Sequence, residues 1–342
     1  MIRILVVSLL LASNGGLCAQ LDDVLNQVHP KIKKWASVCV IKGKGDERSF
    51  EWDHYRSSAE VNDFWPASTI KLYTAIAVLE EQKRLGLPLE STVTFERMVK
   101  GEWILDCARS VPEMMSEVFR RSSNEDYTLM LRVMGIDRLN KEFLVPSKGF
   151  NHSALMRGYV LHRPYLYNRD EDQRVTWSSN GEQVARSEHS WSGHSYSKDK
   201  GATIISEEIG NCTTTYEMAD CLRRIMYHEL IPETERFDLT DEQLEFLREG
   251  DNGMNGLKNI YKTSRAWKGV EKVFSGSVSY NKSGRISNYA LDLACLKNPQ
   301  TGMEVVMALA ANTGEPSVIE DMAEAIAMKW KKDGTFVLLR NQ

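Results

Sequence analysis

The stretch FWPASTIKLYTAIAVLEEQKRLG, residues 64–86, has a helical pattern that begins at Ser68. Apolar side chains recur at helical spacing after Ser68, and Gly86 fits the end of the helix. Lys71 follows Ser68 by three residues, and residues at this spacing are neighbours on a helix surface. A helix N-terminus supplies partial positive charge, and a lysine sheltered there from water loses its proton more readily. Ser68 and Lys71 are therefore a candidate nucleophile and base.

Three other Ser-x-x-Lys pairs begin at Ser195, Ser197 and Ser279. The first two lie in a polar stretch, where a solvated surface is the ordinary interpretation. Ser68 differs from them because it opens a helix whose body is apolar. The helix context, rather than the spacing alone, singles out Ser68.

The first nineteen residues, MIRILVVSLLLASNGGLCA, join Arg3 to an apolar run and a small-residue end. This order is typical of a secretory signal peptide, and the run is too short to span a bilayer. We predict cleavage after Ala19 and a periplasmic or secreted protein. Lipid attachment at Cys18 is the weaker interpretation, because Leu17 is bulky. No other segment is apolar over a bilayer's thickness, so we expect no membrane span in the mature form.

The charge balance excludes one class of partner. The formal net charge is −4, and loss of Arg3 with the leader makes it −5. With no basic stripe, this argues against a nucleic-acid partner. The remaining cysteines are odd in number and match no zinc pattern, so at least one thiol is unpaired and we predict no metal or cofactor. Their pairing is left open, with Cys107 bonded to Cys212 or Cys221 as one option; the set is Cys39, Cys107, Cys212, Cys221 and Cys295.

The order of patterns along the chain predicts an α/β protein. Strand-like runs lie near the N-terminus and in three segments after residue 272, and a helix closes the chain. Between them the patterns are mostly helical, apart from a Ser-, Gly- and charge-rich stretch near 174–201 that resembles a surface loop. We predict an antiparallel five-stranded sheet flanked by terminal helices, with an inserted all-helical lobe. The α/β lobe would be discontinuous, formed by 20–66 and 268–342, with 67–267 as the mainly helical lobe.

Two further motifs follow Ser68 and Lys71 in the chain. Ser122-Ser123-Asn124 precedes a predicted helix, and Lys282-Ser283-Gly284 lies on a predicted strand. Each alone is more often a cap or a turn. The order Ser-x-x-Lys, Ser-x-Asn, Lys-Ser/Thr-Gly is the three-part signature of the penicillin-recognising serine hydrolases. The chain resembles a class A β-lactamase, or a relative in the superfamily that includes the D,D-peptidases, over nearly its whole mature length.

The resemblance implies three catalytic residues. Ser68 would be the acylated nucleophile and Lys71 its proton acceptor or relay. Ser122 would pass the proton to the leaving nitrogen. The backbone N–H groups of Ser68 and Arg285 would form the oxyanion hole.

The resemblance also implies the substrate contacts. Asn124 would hold the substrate amide. Lys282 would supply positive charge for a substrate carboxylate, and Ser283 would donate a hydrogen bond to it. Gly284 would permit close approach of the substrate to the strand.

The chain departs from the class A pattern in two places, and the second of them concerns the hydrolytic step. Ser123 stands where class A enzymes usually carry Asp. The omega-loop Glu that activates water in those enzymes has no counterpart, because no acidic residue occurs between Glu142 and Asp170. Other residues that we consider as its replacement are His152, His162, Glu207 and Glu208.

These observations predict an exported serine acyl hydrolase that forms an acyl-enzyme at Ser68 with a β-lactam or related amide. The alternatives are a D,D-carboxypeptidase or esterase on the same scaffold, and a penicillin-binding sensor that acylates without turnover. The expected partner is a small-molecule or peptidoglycan-like substrate, and we expect a monomer.

Overall fold

The computed structural model describes residues 18–56, 64–202, 210–251, 253–258 and 263–336. The predicted signal peptide lies outside the described residues except at its last two positions. In the described part, no helix is both long enough and apolar enough to cross a membrane. No disulfide joins the five cysteines named above, all of which are free thiols.

The strands of the described chain are β1 (Lys34–Lys42), β2 (Ser49–Tyr55), β3 (Thr92–Val99), β4 (Glu102–Ser110), β5 (Gln173–Ser179), β6 (Glu182–His189), β7 (Val278–Ile286), β8 (Tyr289–Asn298) and β9 (Met303–Ala311).

The α-helices are α1 (Cys18–Leu25), α2 (Lys71–Arg84), α3 (Val111–Arg121), α4 (Asn124–Met134), α5 (Ile136–Arg138), α6 (Tyr196–Asp199), α7 (Thr215–Met226), α8 (Asp241–Glu249), α9 (Arg265–Glu271) and α10 (Ser317–Asp333). Short 3₁₀ turns cover Gly45–Glu47, Ala67–Ile70, Pro146–Lys148, His228–Leu230 and Glu233–Glu235, and a π turn covers Leu139–Phe143.

The larger sheet has the order β2-β1-β9-β8-β7, and all its neighbours are antiparallel. Its central strands β8 and β9 are buried along almost their full length, which explains why their sequences are continuously apolar rather than alternating. The terminal helices α1 and α10, with α9, share one buried core with one face of the sheet. Helix α7 contacts the other face. The predicted five-stranded sheet with flanking terminal helices is therefore confirmed.

The inserted region is not all-helical, because it contains a second antiparallel sheet of order β4-β3-β5-β6. The stretch predicted as a surface loop near 174–201 includes the hairpin β5–β6. Only one face of this sheet is buried. Its side chains in the core include Val93, Phe95, Val175 and Trp177. The other face carries charged side chains, and these strands were not predicted from the sequence. The division of the chain at 66/67 and 267/268 stays a prediction.

Cross-strand charge pairs occur on both faces of the second sheet. Arg97 on β3 pairs with Asp106 on β4 at the buried face, where Asp106 also pairs with the buried Arg132 of α4. On the polar face, Arg174 on β5 pairs with Glu188 on β6. The Arg174 guanidinium also lies 3.9 Å from the ring centroid of Trp103. Such pairs between neighbouring strands contribute to sheet stability and allow a charged sequence to form strands.

Candidate active site

Ser68 lies on a 3₁₀ turn, Ala67–Ile70, which leads directly into α2 at Lys71. The helix predicted from Ser68 thus begins as a tighter turn. Thr69 closes this turn with its side chain, donating from Oγ1 to the Pro66 carbonyl at 2.5 Å. Ala67 adopts a left-handed conformation with φ of 47°, and its carbonyl accepts a 2.8 Å hydrogen bond from the Tyr159 hydroxyl. Ser68 is therefore held on a turn that is anchored from both sides.

The Lys71 amine is buried among acceptors of one turn. Its Nζ lies 2.6 Å from the Ser122 carbonyl oxygen, 3.2 Å from the Ser123 carbonyl oxygen and 2.6 Å from Asn124 Oδ1. The rings of Tyr127 and Tyr159 lie 5.6 and 5.7 Å from Nζ. Burial, and secondarily the charge of Lys282, lower the pKa of Lys71 to about 6. At neutral pH the amine is then mostly unprotonated and able to accept a proton.

Ser122 joins the second motif to both lysines. It ends α3 in a left-handed conformation, with φ 59° and ψ 40°. Its Oγ lies 3.3 Å from Lys71 Nζ and 2.9 Å from Lys282 Nζ. Ser123 caps α4 by accepting from the Asp126 N–H. The Ser-x-Asn turn is thus placed between the two amines.

The third motif lies on β7, an edge strand of the larger sheet. Lys282 is buried, and its Nζ also donates to the Ser283 carbonyl at 2.8 Å. A Cβ placed on Gly284 would come within 2.9 Å of the Ser68 backbone nitrogen and 3.1 Å of Ala67 Cβ. Only glycine therefore lets the strand pass so close to the nucleophile's amide. The next residue, Arg285, is exposed, and with Ser68 it lines both cavities described below.

Asp292 completes the site and was not predicted from the sequence. It lies on β8 opposite Ser283 in the strand register, fully buried. Its Oδ1 accepts from the Ser283 hydroxyl at 2.9 Å, and its Oδ2 accepts from the Ser264 hydroxyl and the Ala266 N–H. A single acid within the apolar run ALDLACL was the available signal. In this structure the Ser283 hydroxyl proton goes to Asp292, so a bond from Ser283 to a substrate would replace this one.

Burial and Asp292 act on Lys282 in opposite directions. Burial lowers the pKa of Lys282, and the nearby Asp292 carboxylate raises it. The effect of burial is the larger, so the pKa of Lys282 is lowered to about 7. Asp292 is therefore what keeps a buried ammonium available near neutral pH.

Two cavities meet at Ser68. The first, the Asn124 cavity, has a volume of about 380 Å³ and is lined by Trp65, Ala67, Ser68, Asn124, Arg157, Tyr159, Leu161, Arg285 and Ile286. The second, the Ser283 cavity, is also about 380 Å³ and is lined by Ser68, Ser122, Ser283, Gly284 and Arg285 with residues 263, 265, 290, 291, 316 and 319. Ser122 and Ser283 also line a smaller hollow that contains Lys282. Ser68 thus has open space on two sides.

No Asp or Glu of the described chain lines either cavity. His152 is half-buried, and His162 is exposed beside Tyr165; neither belongs to the lining. Glu207 and Glu208 lie outside the described residues. The serines of the three other Ser-x-x-Lys pairs, Ser195, Ser197 and Ser279, line neither cavity.

Tyr127, Tyr159 and Asn211 are further site residues that sequence reasoning missed. Asn211 Nδ2 lies 3.3 and 3.1 Å from the hydroxyls of Tyr127 and Tyr159. Nothing in their local sequence indicates that they surround a lysine on another helix. Within the described residues no three His, Cys, Asp or Glu side chains converge to hold a metal ion.

No protein-family model matches the chain, and no curated protein matches it. Solved structures do match. A β-lactamase from Sphaerobacter thermophilus is 13% identical, with a TM-score of 0.56 over 93% of this chain and 98% of its own. A class A β-lactamase from Bacteroides cellulosilyticus is 13% identical, with a TM-score of 0.55 over 92% and 99%. A β-lactamase from Streptosporangium roseum is 16% identical, with a TM-score of 0.55 over 93% and 98%.

At these identities the likeness shows the fold. The chain has a β-lactamase-like fold, and the fold inferred from the three motifs is confirmed. The similarity extends over almost the full length of each matched chain.

Asp292→Asn is expected to lower the pKa of Lys282 below about 7, because it removes the carboxylate that favours the ammonium. An NMR titration of ¹³C-labelled lysine side chains measures this shift. Asp333→Asn, on the C-terminal helix, removes the same charge far from the site and should leave the titration of Lys282 unchanged. An unaltered Lys282 pKa in a folded Asp292→Asn protein would contradict the assignment.

Proposed function

We propose that this protein is an exported serine acyl hydrolase that forms an acyl-enzyme at Ser68 with a β-lactam or related amide. The observation that carries the proposal is the Ser122 hydroxyl, which contacts the amines of both Lys71 and Lys282. A relay of this kind supplies a base for the nucleophile and an acid for the leaving group. We further propose a monomer acting on a small-molecule or peptidoglycan-like substrate, with no nucleic-acid partner and no membrane span in the mature form.

Acylation would begin at Ser68. Its Oγ attacks the substrate carbonyl carbon, and its proton passes to the unprotonated Lys71 amine. The resulting oxyanion accepts hydrogen bonds from the backbone N–H groups of Ser68 and Arg285. The carbon–nitrogen bond then breaks, and Ser122 gives its proton to the leaving nitrogen while Lys71 returns a proton to Ser122.

The substrate would be held on both sides of the reacting carbonyl. Lys282 provides a cation for a carboxylate on the leaving half, in the direction of the Ser283 cavity. Asn124 Oδ1 accepts from Lys71, which leaves its Nδ2 to donate to the carbonyl of an acyl-side amide. These contacts favour an amide or lactam with a neighbouring carboxylate.

A second candidate function is a D,D-carboxypeptidase, an esterase, or a sensor that remains acylated. The observation that favours it is the lack of a carboxylate among the described lining residues of the two cavities. Acylation needs only the residues already named, whereas efficient hydrolysis also needs a base for water. The candidates share the acyl-enzyme and differ in how fast it is released.

Ser68→Ala is expected to abolish covalent labelling by benzylpenicillin without unfolding the protein, because the acyl acceptor is lost while the turn is retained. Mass spectrometry of the intact protein and of its peptides measures the adduct. Ser279→Ala removes a serine that also begins a Ser-x-x-Lys pair but lies outside both cavities, and it should label normally. An adduct on a peptide other than that of Ser68 would refute the nucleophile.

The acylation rate constant at low substrate concentration is expected to rise with pH through about 6, as Lys71 loses its proton and becomes a base. It should fall through about 7 for substrates with a leaving-half carboxylate, as Lys282 loses its charge. Stopped-flow acylation across pH 5 to 9 measures both limbs.

A substrate without that carboxylate is the matched control, and it should lose only the descending limb. Lys282→Arg, whose side chain stays charged, should also remove that limb. A flat profile over this range would show that neither amine titrates in the reaction.

Hydrolysis of the acyl-enzyme is expected to be slow relative to its formation. A water beside an ester needs a positioned base, and its loss costs about a hundredfold to ten-thousandfold in rate. Penicillin turnover, measured by absorbance, should therefore show a burst of one product per site and then a slow phase. Rapid turnover without a burst would indicate a base outside the described lining of the two cavities, and alanine variants of His152, His162, Glu207 and Glu208 would test the four candidates.

A further inference from the structure

The Asn124 cavity has two arginines on its wall and no acid to balance them. Arg157 and Arg285 both line it beside Ser68. Within the described chain the structure gives neither guanidinium an ion pair or a hydrogen bond. The Arg157 guanidinium lies over the Trp65 ring, 6.0 Å from its centroid. Two unpaired cations beside a nucleophile make a site for an anion.

The loop that carries Arg157 is fixed by a buried side chain. Asn211 Oδ1 accepts from the backbone N–H groups of Met156 and Arg157, at 2.7 and 3.1 Å. The Arg157 carbonyl accepts in turn from the Tyr127 hydroxyl at 3.0 Å and from Asn211 Nδ2 at 3.2 Å. The arginine is therefore presented from an anchored backbone, which reduces the entropy lost when it binds a ligand.

The packing at the next residue also fixes the loop. A Cβ on Gly158 would meet Thr128 side-chain atoms at 2.6 Å, so glycine is needed for the loop to lie against α4. The Thr128 hydroxyl accepts from the Tyr159 N–H at 3.1 Å. The backbone on both sides of Arg157 is thus tied to the helix that carries Asn124.

A third arginine, Arg169, lies near Arg157 but outside the described lining of the Asn124 cavity. The Nη1 atom of Arg169 is buried without a hydrogen-bond partner. Burial, and then the charge of Arg157, lower the pKa of Arg169. Arg157 and Arg169 are therefore close enough for their positive charges to repel.

The rest of the Asn124 cavity is apolar. Trp65, Ile286 and Leu161 contribute to its lining, and Leu161 is 81% exposed. A leucine so exposed at the mouth of a cleft offers apolar surface to a bound group. The cavity therefore suits a group that is partly apolar and negatively charged.

The two cavities divide the substrate between them. The groups proposed to hold the leaving half, Ser122, Lys282 and Ser283, lie on the side of the Ser283 cavity. The acyl half must then extend into the Asn124 cavity, which has Arg157 on its wall and shares Arg285 with the Ser283 cavity.

We propose that the preferred substrate carries a second carboxylate, on the acyl half, and that Arg157 with the Arg285 side chain binds it beside an apolar group packed on Trp65. This inference rests on the proposed function and specifies its substrate class. The substrate is an amide with one carboxylate on each side of the reacting bond.

Benzylpenicillin and carbenicillin test the inference, because they differ only by a carboxylate on the acyl side chain. The Ser68→Ala substitution is made in the full chain so that no acyl-enzyme can form. Calorimetry then measures the dissociation constant of each penicillin. We expect carbenicillin to bind more tightly by about tenfold, the size of a partly screened charged hydrogen bond. Adding Arg157→Gln should remove most of this preference, whereas Arg157→Lys should retain part of it.

Arg186→Gln is the matched control, since it removes one positive charge from an exposed position on β6. It should leave the ratio of the two dissociation constants unchanged. Equal affinities, no measurable binding of either penicillin, or a preference that persists in Arg157→Gln would overturn the inference. Mass spectrometry of the protein with Ser68 intact tests the acyl-enzyme separately, so failure of the proposed function is distinguished from failure of the anion site.

Discussion

The site depends on the burial of two lysine amines around one hydroxyl. Lysine is almost never fully buried unless its amine is paired, because an isolated charge is costly in a protein interior. Here Lys71 and Lys282 share Ser122 Oγ, and each has at least one backbone carbonyl as a further acceptor. The turn at Ser122 must therefore lie between α2 and β7, and a displacement of any of the three would leave buried polar groups unsatisfied.

That turn is held in place by the second sheet. Ser122 adopts a left-handed conformation, which costs free energy for a non-glycine residue and persists only when its surroundings fix it. Asp126 fixes it from one side by bonding with Ser123. Arg109 on β4 donates to Asp126 at 2.9 Å and so connects the turn to the four-stranded sheet. The second sheet, whose strand β4 is separated from the Ser122 turn by α3, thus helps to position Ser122 and Asn124.

The sequence predicted the parts of this arrangement that are local. Ser68 and Lys71 are one turn apart at the start of an apolar helix, and the other two motifs each occupy three consecutive residues, so local context and the order of the three motifs identified them. The apolar runs of β8 and β9 likewise predicted the main sheet. Asp292 and Arg109 were missed because their partners are brought near only by strand pairing and by packing of the chain. The strands β3 to β6 were missed because polar and charged side chains, some of them in cross-strand ion pairs, occupy many of their positions and only one face is apolar.

The acceptors around Lys71 indicate which step the site is built to assist. A neutral amine has two N–H donors and one lone pair, whereas the ammonium has three donors and no lone pair. Four oxygen acceptors lie within hydrogen-bond distance of Nζ, all supplied by the turn from Ser122 to Asn124. Burial favours the neutral form that the proposed acylation requires, and these oxygens would stabilise the ammonium formed if Ser68 gives its proton to Lys71. One of the four, Ser122 Oγ, is also the proposed route of that proton to the leaving nitrogen. The described part of the site thus contains a group for each proton transfer of the proposed acylation. The described walls of the two cavities carry cations, with no carboxylate to activate water.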